Sequence, residues 1–439
     1  MRRRTILIIA IAVVVVVASL AIGLVQLRAQ GAADLPVLTP EQLLTNVAQK
    51  APSNAAVSGR VAWTNNLTGL QLLSLAGQAL PDVSSLLQSG SGQVWVEKDK
   101  ARLEVKGPGS NTVLVVSGTS AWVYLPATNT ATEYTLPAVS APQRALADPS
   151  AMIAGMVQKL APTATLAVNG QEDIAGQTCY ILTLIPTAPD TVFGSVRVDV
   201  DGTTFLPLRV QVFAKGADQA VLSLGFTDIS YDAIPDATFA FQPPAGATVE
   251  HKAATIPAGA MKGGADKTRV ATPPESLSLA DAAVKAGLSV LSYQGTDSAL
   301  SFEGAYVIPA FEAPAIDPAA LLGGQLFGQG ASSQVSPADT SAGPGQTMNV
   351  GPIVVLRYGQ GFGTLALAEI KVPAAQSSQL TQILTLVPGL KSTTADGASV
   401  YQFATQLGSV AVWQKGDLVL VAAGSVGQTD LMGFVSAVR

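Results

Sequence analysis

The sequence predicts a mainly β protein in which an N-terminal transmembrane helix is followed by an antiparallel meander and then by a small α+β module. Three observations predict it. Residues 6–27 form one uncharged apolar run behind Arg2, Arg3 and Arg4. Between residues 57 and 231, short segments alternate apolar with polar residues and are separated by Gly, Asn, Asp and Pro, the mark of short strands joined by turns. Past residue 276, helical and alternating periods are mixed.

The apolar run matches the roughly 20 residues that a helix needs to cross a bilayer. Arginines in front of such a run stay cytoplasmic, so everything after Arg28 is expected outside the cytoplasm. The run exceeds the about 7 to 15 apolar residues of a secretory signal. Residues 1–30 are therefore read as a signal anchor, a single-pass helix in the cell membrane. The alternative is cleavage within Ala29-Gln30-Gly31-Ala32-Ala33, which would release a secreted protein. A lipid anchor lacks its cysteine, because the one cysteine is Cys179.

A length of 439 residues accommodates two domains behind the anchor. Removing residues 1–28 takes away four arginines and no acid, leaving 21 basic and 30 acidic residues and a net charge of −9. That excludes a nucleic-acid partner, which requires a basic face. One cysteine forms no intramolecular disulfide, so stability rests on a core. His251 is the sole histidine, and no H-E-x-x-H, P-loop or paired-cysteine motif occurs. This count does not remove a Ser-Lys or paired-carboxylate site, but the expectation is no catalytic residue, no metal ligand and no cofactor, and the chain is read as a binding protein.

A helix starts at Thr39-Pro40-Glu41-Gln42, with Thr39 as N-cap, Pro40 at the first helical position and Gln42 closing a capping box. Leu43, Leu44 and Val47 make its apolar face. Val57, Gly59, Val61 and Trp63 then alternate with Ser58, Arg60 and Ala62 as in a half-buried strand. Further strands are expected over 93–97, 101–106, 111–117, 121–125 and 132–136, and then over 164–168, 178–185, 195–200, 205–213 and 220–231. Asp201-Gly202 supplies one tight turn.

Two segments interrupt this meander. Residues 70–87 carry Leu70, Leu72, Leu73, Leu75, Leu80, Leu86 and Leu87 with a single acid and no base; Pro81 breaks them into pieces too short to span a membrane. Residues 149–160 place Met152, Ile153, Met156, Val157 and Leu160 on one helical face. Methionine fills irregular space and serves adaptable apolar surfaces. Both segments must lie on something apolar.

Two stretches carry a resemblance. Residues 168–186 read Val-Asn-Gly-x5-Gly-x-x-Cys-Tyr-x-Leu-x-Leu-x-Pro, and residues 234–246 read Ile-Pro-Asp-x-x-Phe-x-Phe-x-Pro-Pro-x-Gly. With the leading helix and the interrupted meander, residues 35–250 resemble the LolA/LolB-like outer membrane lipoprotein carrier superfamily, with its relatives RseB and LppX/LprG. The resemblance implies a LolA-like curved antiparallel half-barrel with a helical lid over an apolar cavity for acyl chains. The twelve leucine, methionine, isoleucine and valine residues just named are then the lid and lipid-cavity candidates. Carriers of this family hold their closed state with an arginine, and the motifs do not align Arg60, Arg102, Arg197 or Arg209 with it.

Residues 251–274, rich in Ala, Gly, Lys and Pro, read as a linker, with His251 at its edge in a solvated role. Residues 275–439 form the α+β domain. Ser278 caps a helix that ends at Gly287. Strands are expected over 299–308, 353–358 and 364–371, a helix over 374–386, and strands over 399–405, 408–414 and 418–423. Thr429 is expected to cap a final helix burying Leu431, Phe434, Val435 and Val438. Residues 312–351 form a Gly, Ala, Ser and Pro-rich insertion, read as flexible. The start Leu-Ala-Asp-Ala-x-x-x-Ala-Gly and the late Trp-x-Lys-Gly-Asp look similar to small domains appended to anti-sigma and sporulation-type envelope proteins.

The sequence thus leads to extracytoplasmic binding or carriage of lipids or acylated lipoproteins at the bacterial cell envelope, with the cytoplasmic membrane as a second partner. Its alternative is an RseB-like envelope-stress sensor that acts on a membrane signalling protein in a sigma/anti-sigma pathway.

Overall fold

The computed structural model describes residues 35–50, 56–68, 89–107, 110–135, 161–253, 276–314, 347–372, 384 and 390–439. The protein is mainly β. Its first sheet has twelve strands in the order β12-β6-β5-β4-β3-β2-β1-β11-β10-β9-β8-β7. They are β1 (Val57–Asn65), β2 (Gly90–Glu97), β3 (Lys100–Gly107), β4 (Ser110–Ser117), β5 (Ser120–Leu125), β6 (Thr130–Thr135), β7 (Ala164–Ile174), β8 (Gln177–Pro186), β9 (Phe193–Asp201), β10 (Pro207–Ala214), β11 (Ala220–Ser230) and β12 (Thr248–Ala253). Two antiparallel meanders, β1 to β6 and β7 to β11, join along β1 and β11, where Trp63 lies opposite Leu224. The sheet is curved and does not close, since β12 and β7 are its two edges.

Local chemistry sets the corners. The 168–186 motif is a bulge followed by a hairpin. The register of β7 on β8 shifts between Val168 and Gln171, where Gly170 adopts φ +82°, and the turn uses Ala175 and Gly176 at φ +53° and +80°, as a tight two-residue hairpin requires. After β9, Asp201 organises the next turn: its Oδ1 accepts from Thr203 N and its Oδ2 from the hydroxyls of Thr204 and Tyr231. Phe205 stands at φ +59° in that turn, so β10 begins at Pro207 rather than at 205.

The 234–246 motif is a strap. It leaves β11 and crosses the outer face of β2 to β6, burying Ile234 and Phe239 against Trp95 and Ala56. Arg102 donates to the Thr238 carbonyl and Lys100 pairs with Asp236. Phe241 lies 5.3 Å from Trp122 and 5.9 Å from Tyr124, between ring centroids. Asn129 Nδ2 then donates to the Gly246 carbonyl, and β12 pairs in parallel with β6, His251 opposite Glu133. Pairing of the first sheet therefore runs three residues past the boundary expected at 250. His251 is exposed, with Nδ1 2.9 Å from Glu133 Oε2.

The leading helix α1 (Pro40–Lys50) has the expected capping box, with Thr39 N donating to Gln42 Oε1 at 2.9 Å and Gln42 N to Thr39 Oγ1 at 3.2 Å. It buries Leu43 and Val47 among Tyr180, Leu182, Leu184, Val196 and Val198, each side chain contributing about 1.5 to 3 kcal/mol.

The second sheet has seven strands in the order β13-β16-β17-β21-β20-β19-β18. These are β13 (Phe302–Ile308), β16 (Ile353–Tyr358), β17 (Leu365–Lys371), β18 (Lys391–Ala395), β19 (Ala398–Thr405), β20 (Gly408–Lys415) and β21 (Leu418–Gly424). Helices α2 (Leu279–Ala286) and α3 (Gln428–Ser436) lie on one face. Ser278 caps α2, accepting from Asp281 N, and Gly287 closes it at φ +64°. Two expectations differ. Asp297 accepts from Ala299 N and turns 298–300 into a 3-10 helix, so the expected 299–308 strand starts at Phe302. The N-cap of α3 is Gly427 with no side-chain cap, so Thr429 lies one residue inside the helix. The ends of the 312–351 stretch meet as a ribbon, β14 (Phe311–Pro314) with β15 (Thr347–Val350); residues 315–346 lie outside the described residues, as does the 374–386 helix apart from residue 384.

The two sheets are stitched together. Thr191 bridges to Val426. Val192 N donates to the Ser425 carbonyl at 2.8 Å, and the Ser425 hydroxyl donates to the Phe362 carbonyl. Phe362 is buried in the first sheet's core, 5.4 Å from Phe193. Gly361 adopts φ +53° and presses on Thr163, where a Cβ would lie 1.9 Å from Oγ1. A second stitch joins Thr68 N to Gln406 Oε1, and Gln406 Nε2 to the Asn66 carbonyl.

Candidate functional site

Side chains alternate between the two faces of a sheet, so register decides which residues share a surface. Across the first sheet the aligned rows on one face are apolar. Val57, Val61 and Trp63 of β1 continue into Val94 and Val96, then Leu103 and Val105, then Leu114 and Val116, then Val123. In the other direction Leu224 leads to Val210, Val198, Leu182 and Val168. Val210 packs against both of the large clusters, so the face is continuous.

This face is not uniformly covered. Val57, Val61, Val94 and Leu103 are fully buried, whereas Trp63, Val116, Val123, Val210, Leu224 and Ile229 are only partly so. Among the described residues, α1 is the helix that packs on it, over β7 to β9.

The opposite face carries the charges. Arg60 pairs with Asp228, and Arg102 with Glu104. Arg197 and Arg209 close a ring with Glu172 and Asp199: Arg197 Nε donates to Asp199 Oδ1 at 2.8 Å, Arg209 Nε to Asp199 Oδ2 at 2.6 Å, and both guanidinium groups reach Glu172. Gly225 makes room for Arg209, whose Cγ would stand 2.7 Å from a Cβ there. Asp199 is fully buried. Burial raises the Glu172 carboxyl, and the two arginines more than offset it, holding the group below its usual range. The four arginines that the family resemblance brought into question thus serve the outer face. Cys179 is buried, and burial followed by the charges of Asp201 and Asp199 pushes its thiol up; it is a packed core residue, not a nucleophile.

All twelve lid and cavity candidates, Leu70, Leu72, Leu73, Leu75, Leu80, Leu86, Leu87, Met152, Ile153, Met156, Val157 and Leu160, lie outside the described residues, as do residues 1–34. No helix of the described residues is long and apolar enough to cross a membrane. The apolar side chains that the sheet brings together, Val61, Val94, Leu103, Leu114 and Val123 above all, were not singled out as site residues from the sequence. Their signal was present in the period-two alternation, which marks a buried face but does not tell a core from a binding surface.

A family model described as "Uncharacterized protein" matches residues 98–236. No curated protein matches. Among solved structures, the MucA/MucB complex of Pseudomonas aeruginosa is similar at 13% identity and a TM-score of 0.40, over 90% of this chain and 97% of that one. A LolA superfamily protein from Nitrosomonas europaea is similar at 13% identity and a TM-score of 0.21, over 47% and 99%. A putative outer membrane lipoprotein-sorting protein domain from Vibrio parahaemolyticus follows at 13% and 0.17, over 45% and 94%. The solved structures similar to this chain therefore include MucB and LolA superfamily proteins, the group that the sequence resembles. At these identities and TM-scores they assign no residue of this chain a role.

Proposed function

We propose that the first sheet binds lipids or acylated lipoproteins on its apolar face, outside the cytoplasm, and that the chain acts as a carrier at the bacterial cell envelope. One observation carries this reading: an apolar face spans the sheet and is only partly covered at Trp63, Val116, Val123, Val210 and Leu224, while every arginine on the sheet that was named above turns to the other face. Acyl chains laid on such a surface gain about 0.8 kcal/mol for each methylene removed from water. In this reading the segments 70–87 and 149–160 form the lid, with Met152, Ile153 and Met156 touching the chains. Residues 35–250 form the carrier domain and 275–439 the second domain, and residues 1–30 form a single-pass anchor. Binding requires no catalytic group.

A second reading has one observation in its favour. The stitch through Thr191, Phe362, Ser425 and Val426 fixes the second sheet to the first, as an RseB-like sensor that reports occupancy to a membrane signalling partner would need. A retained anchor fits the sensor, and a cleaved one fits the diffusing carrier.

The test is native mass spectrometry of the protein purified from its own membrane, wild type beside Val123→Asp. Val123 is only partly buried, so a charge there should leave the sheet folded and drive acyl chains off. The expected outcome is bound lipid on the wild type and none on a variant with a near-normal melting temperature. A wild type that never carries an acylated molecule removes the proposal.

A further inference from the structure

The two ends of the first sheet are tied to different things, and β9 runs from one to the other. Just before β9 begins, Thr191 and Val192 hold Val426 and Ser425 on the second sheet's side. Where β9 finishes, Gly202 seats Leu35, since a Cβ at Gly202 would collide with both methyl groups of that leucine. The same end grips the backbone of the entering chain. Leu35 N donates to Gln171 Oε1 at 3.3 Å, Gln171 Nε2 donates to the Leu35 carbonyl at 3.2 Å, and the Tyr180 hydroxyl donates to the Pro36 carbonyl at 3.0 Å. The chain is thus clamped to the turn end of the sheet before α1 begins at Pro40.

In the reading given above, on which this inference rests, the membrane helix ends near Arg28. Residues 29–34 separate Arg28 from Leu35, and seven fully extended steps reach at most about 25 Å. The clamp therefore lies close to the bilayer. The broad sides of this part of the sheet are ill suited to lipid: α1 exposes Glu41, Gln42, Thr45 and Gln49, and the opposite face carries Arg197, Arg209, Glu172 and Asp199, charges that are costly to desolvate. The clamped end differs. Val37, between the clamp and α1, is 98% exposed, an apolar side chain held outward where the tether arrives. The nine residues of β9 place the junction with the second sheet about 30 Å from that end.

We propose that the end of the first sheet formed by Val37, Gly202 and the β7–β8 hairpin rests on the outer leaflet of the cytoplasmic membrane, with the second sheet held on the side away from it. The apolar face then meets the bilayer where Leu35, Leu38 and Phe205 pack on its core, so acyl chains leaving the leaflet reach that face without crossing open water. A partner of the second sheet is met beyond the first sheet, not at the lipid surface.

Single cysteines at Thr203, beside the clamp, and at Asp218, in the turn between β10 and β11 at the other end, carry a donor dye; both positions are exposed, and Cys179 is buried and stays unlabelled. The full chain is reconstituted into vesicles of phosphatidylethanolamine and phosphatidylglycerol with an acceptor dye on a lipid headgroup, and energy transfer to the bilayer is measured. Transfer from Thr203→Cys is expected to exceed that from Asp218→Cys severalfold. Gln171→Ala with Tyr180→Phe frees Leu35 and Pro36, and a long Gly-Ser spacer inserted before Leu35 lengthens the tether without touching the fold; each should narrow the difference. Equal transfer from the two positions, or more from Asp218→Cys, in chains that float with the vesicles overturns the inference and leaves the anchor standing. A difference that survives both the freed clamp and the spacer also overturns it, because something other than the clamp then sets the placement. Chains that do not float show that residues 1–30 are no anchor, and the inference falls with that reading.

Discussion

Glu369 is a carboxylic acid set in a core of leucines. It lies on β17 with Leu365 and Leu367 and is fully buried. Its Oε2 accepts from Leu291 N at 3.1 Å, and its Oε1 has no hydrogen-bond partner among the described residues. Burial pushes its pKa up from 4.5 to about 7. The folded chain then keeps a proton that the unfolded chain gives up, so stability is fully present below pH 4.5 and is lost as pH rises through the folded value near 7. The loss is on the order of 3 kcal/mol. Glutamine keeps the acceptor for Leu291 N and removes the titration. Urea unfolding of Glu369→Gln from pH 4.5 to 8 should therefore give a flatter profile than the wild type, with the variant the more stable at pH 8. Parallel profiles would mean that the carboxyl ionises there at no cost.

The strap at 234–246 and the hairpin at 168–186 supply the sequence's most specific motifs, and both shape the first sheet. Each solves a problem of the sheet. Ile234 and Phe239 are hydrophobic plugs for the outer face of β2 and β3, which would otherwise leave Trp95 uncovered. Pro235 starts the 3-10 turn that carries Phe239 inward. Truncating Phe239 to alanine should cost about 3 to 5 kcal/mol, as for other buried aromatics, and should loosen β12, whose approach to β6 follows from the strap. Denaturation measures the first effect, and amide exchange at residues 248–253 the second. A loss under 1 kcal/mol would mean that the strap rests on the sheet without holding it.

Cooperativity between the sheets depends on few side chains. Among the described residues, Phe362 is the one residue of the second sheet's turns that enters the first sheet's core, beside Phe193, and the Thr191 and Val426 bridge is an isolated backbone pairing just outside β9 and β21. Each sheet has its own cluster of buried apolar residues. Phe362→Ala is expected to split a single calorimetric transition into two, because each sheet then melts independently. One unchanged transition would show that the sheets share a core wider than this contact.

The sequence by itself determined the local elements of this protein. Thr39 and Gln42 each accept from the other's backbone N–H, Ser278 and Gly287 delimited α2, and the alternation of Val57, Gly59, Val61 and Trp63 fixed which side chains share a face. These rest on contacts a few residues apart, which composition and spacing express directly. Tertiary structure decided the rest. The parallel return of β12 onto β6, the ring joining Glu172 to Arg197, Asp199 and Arg209, and the entry of Phe362 into the other sheet's core each join residues far apart in the chain. No periodicity encodes such pairings, because they depend on how a twelve-stranded sheet curves and where its loops then meet the second sheet.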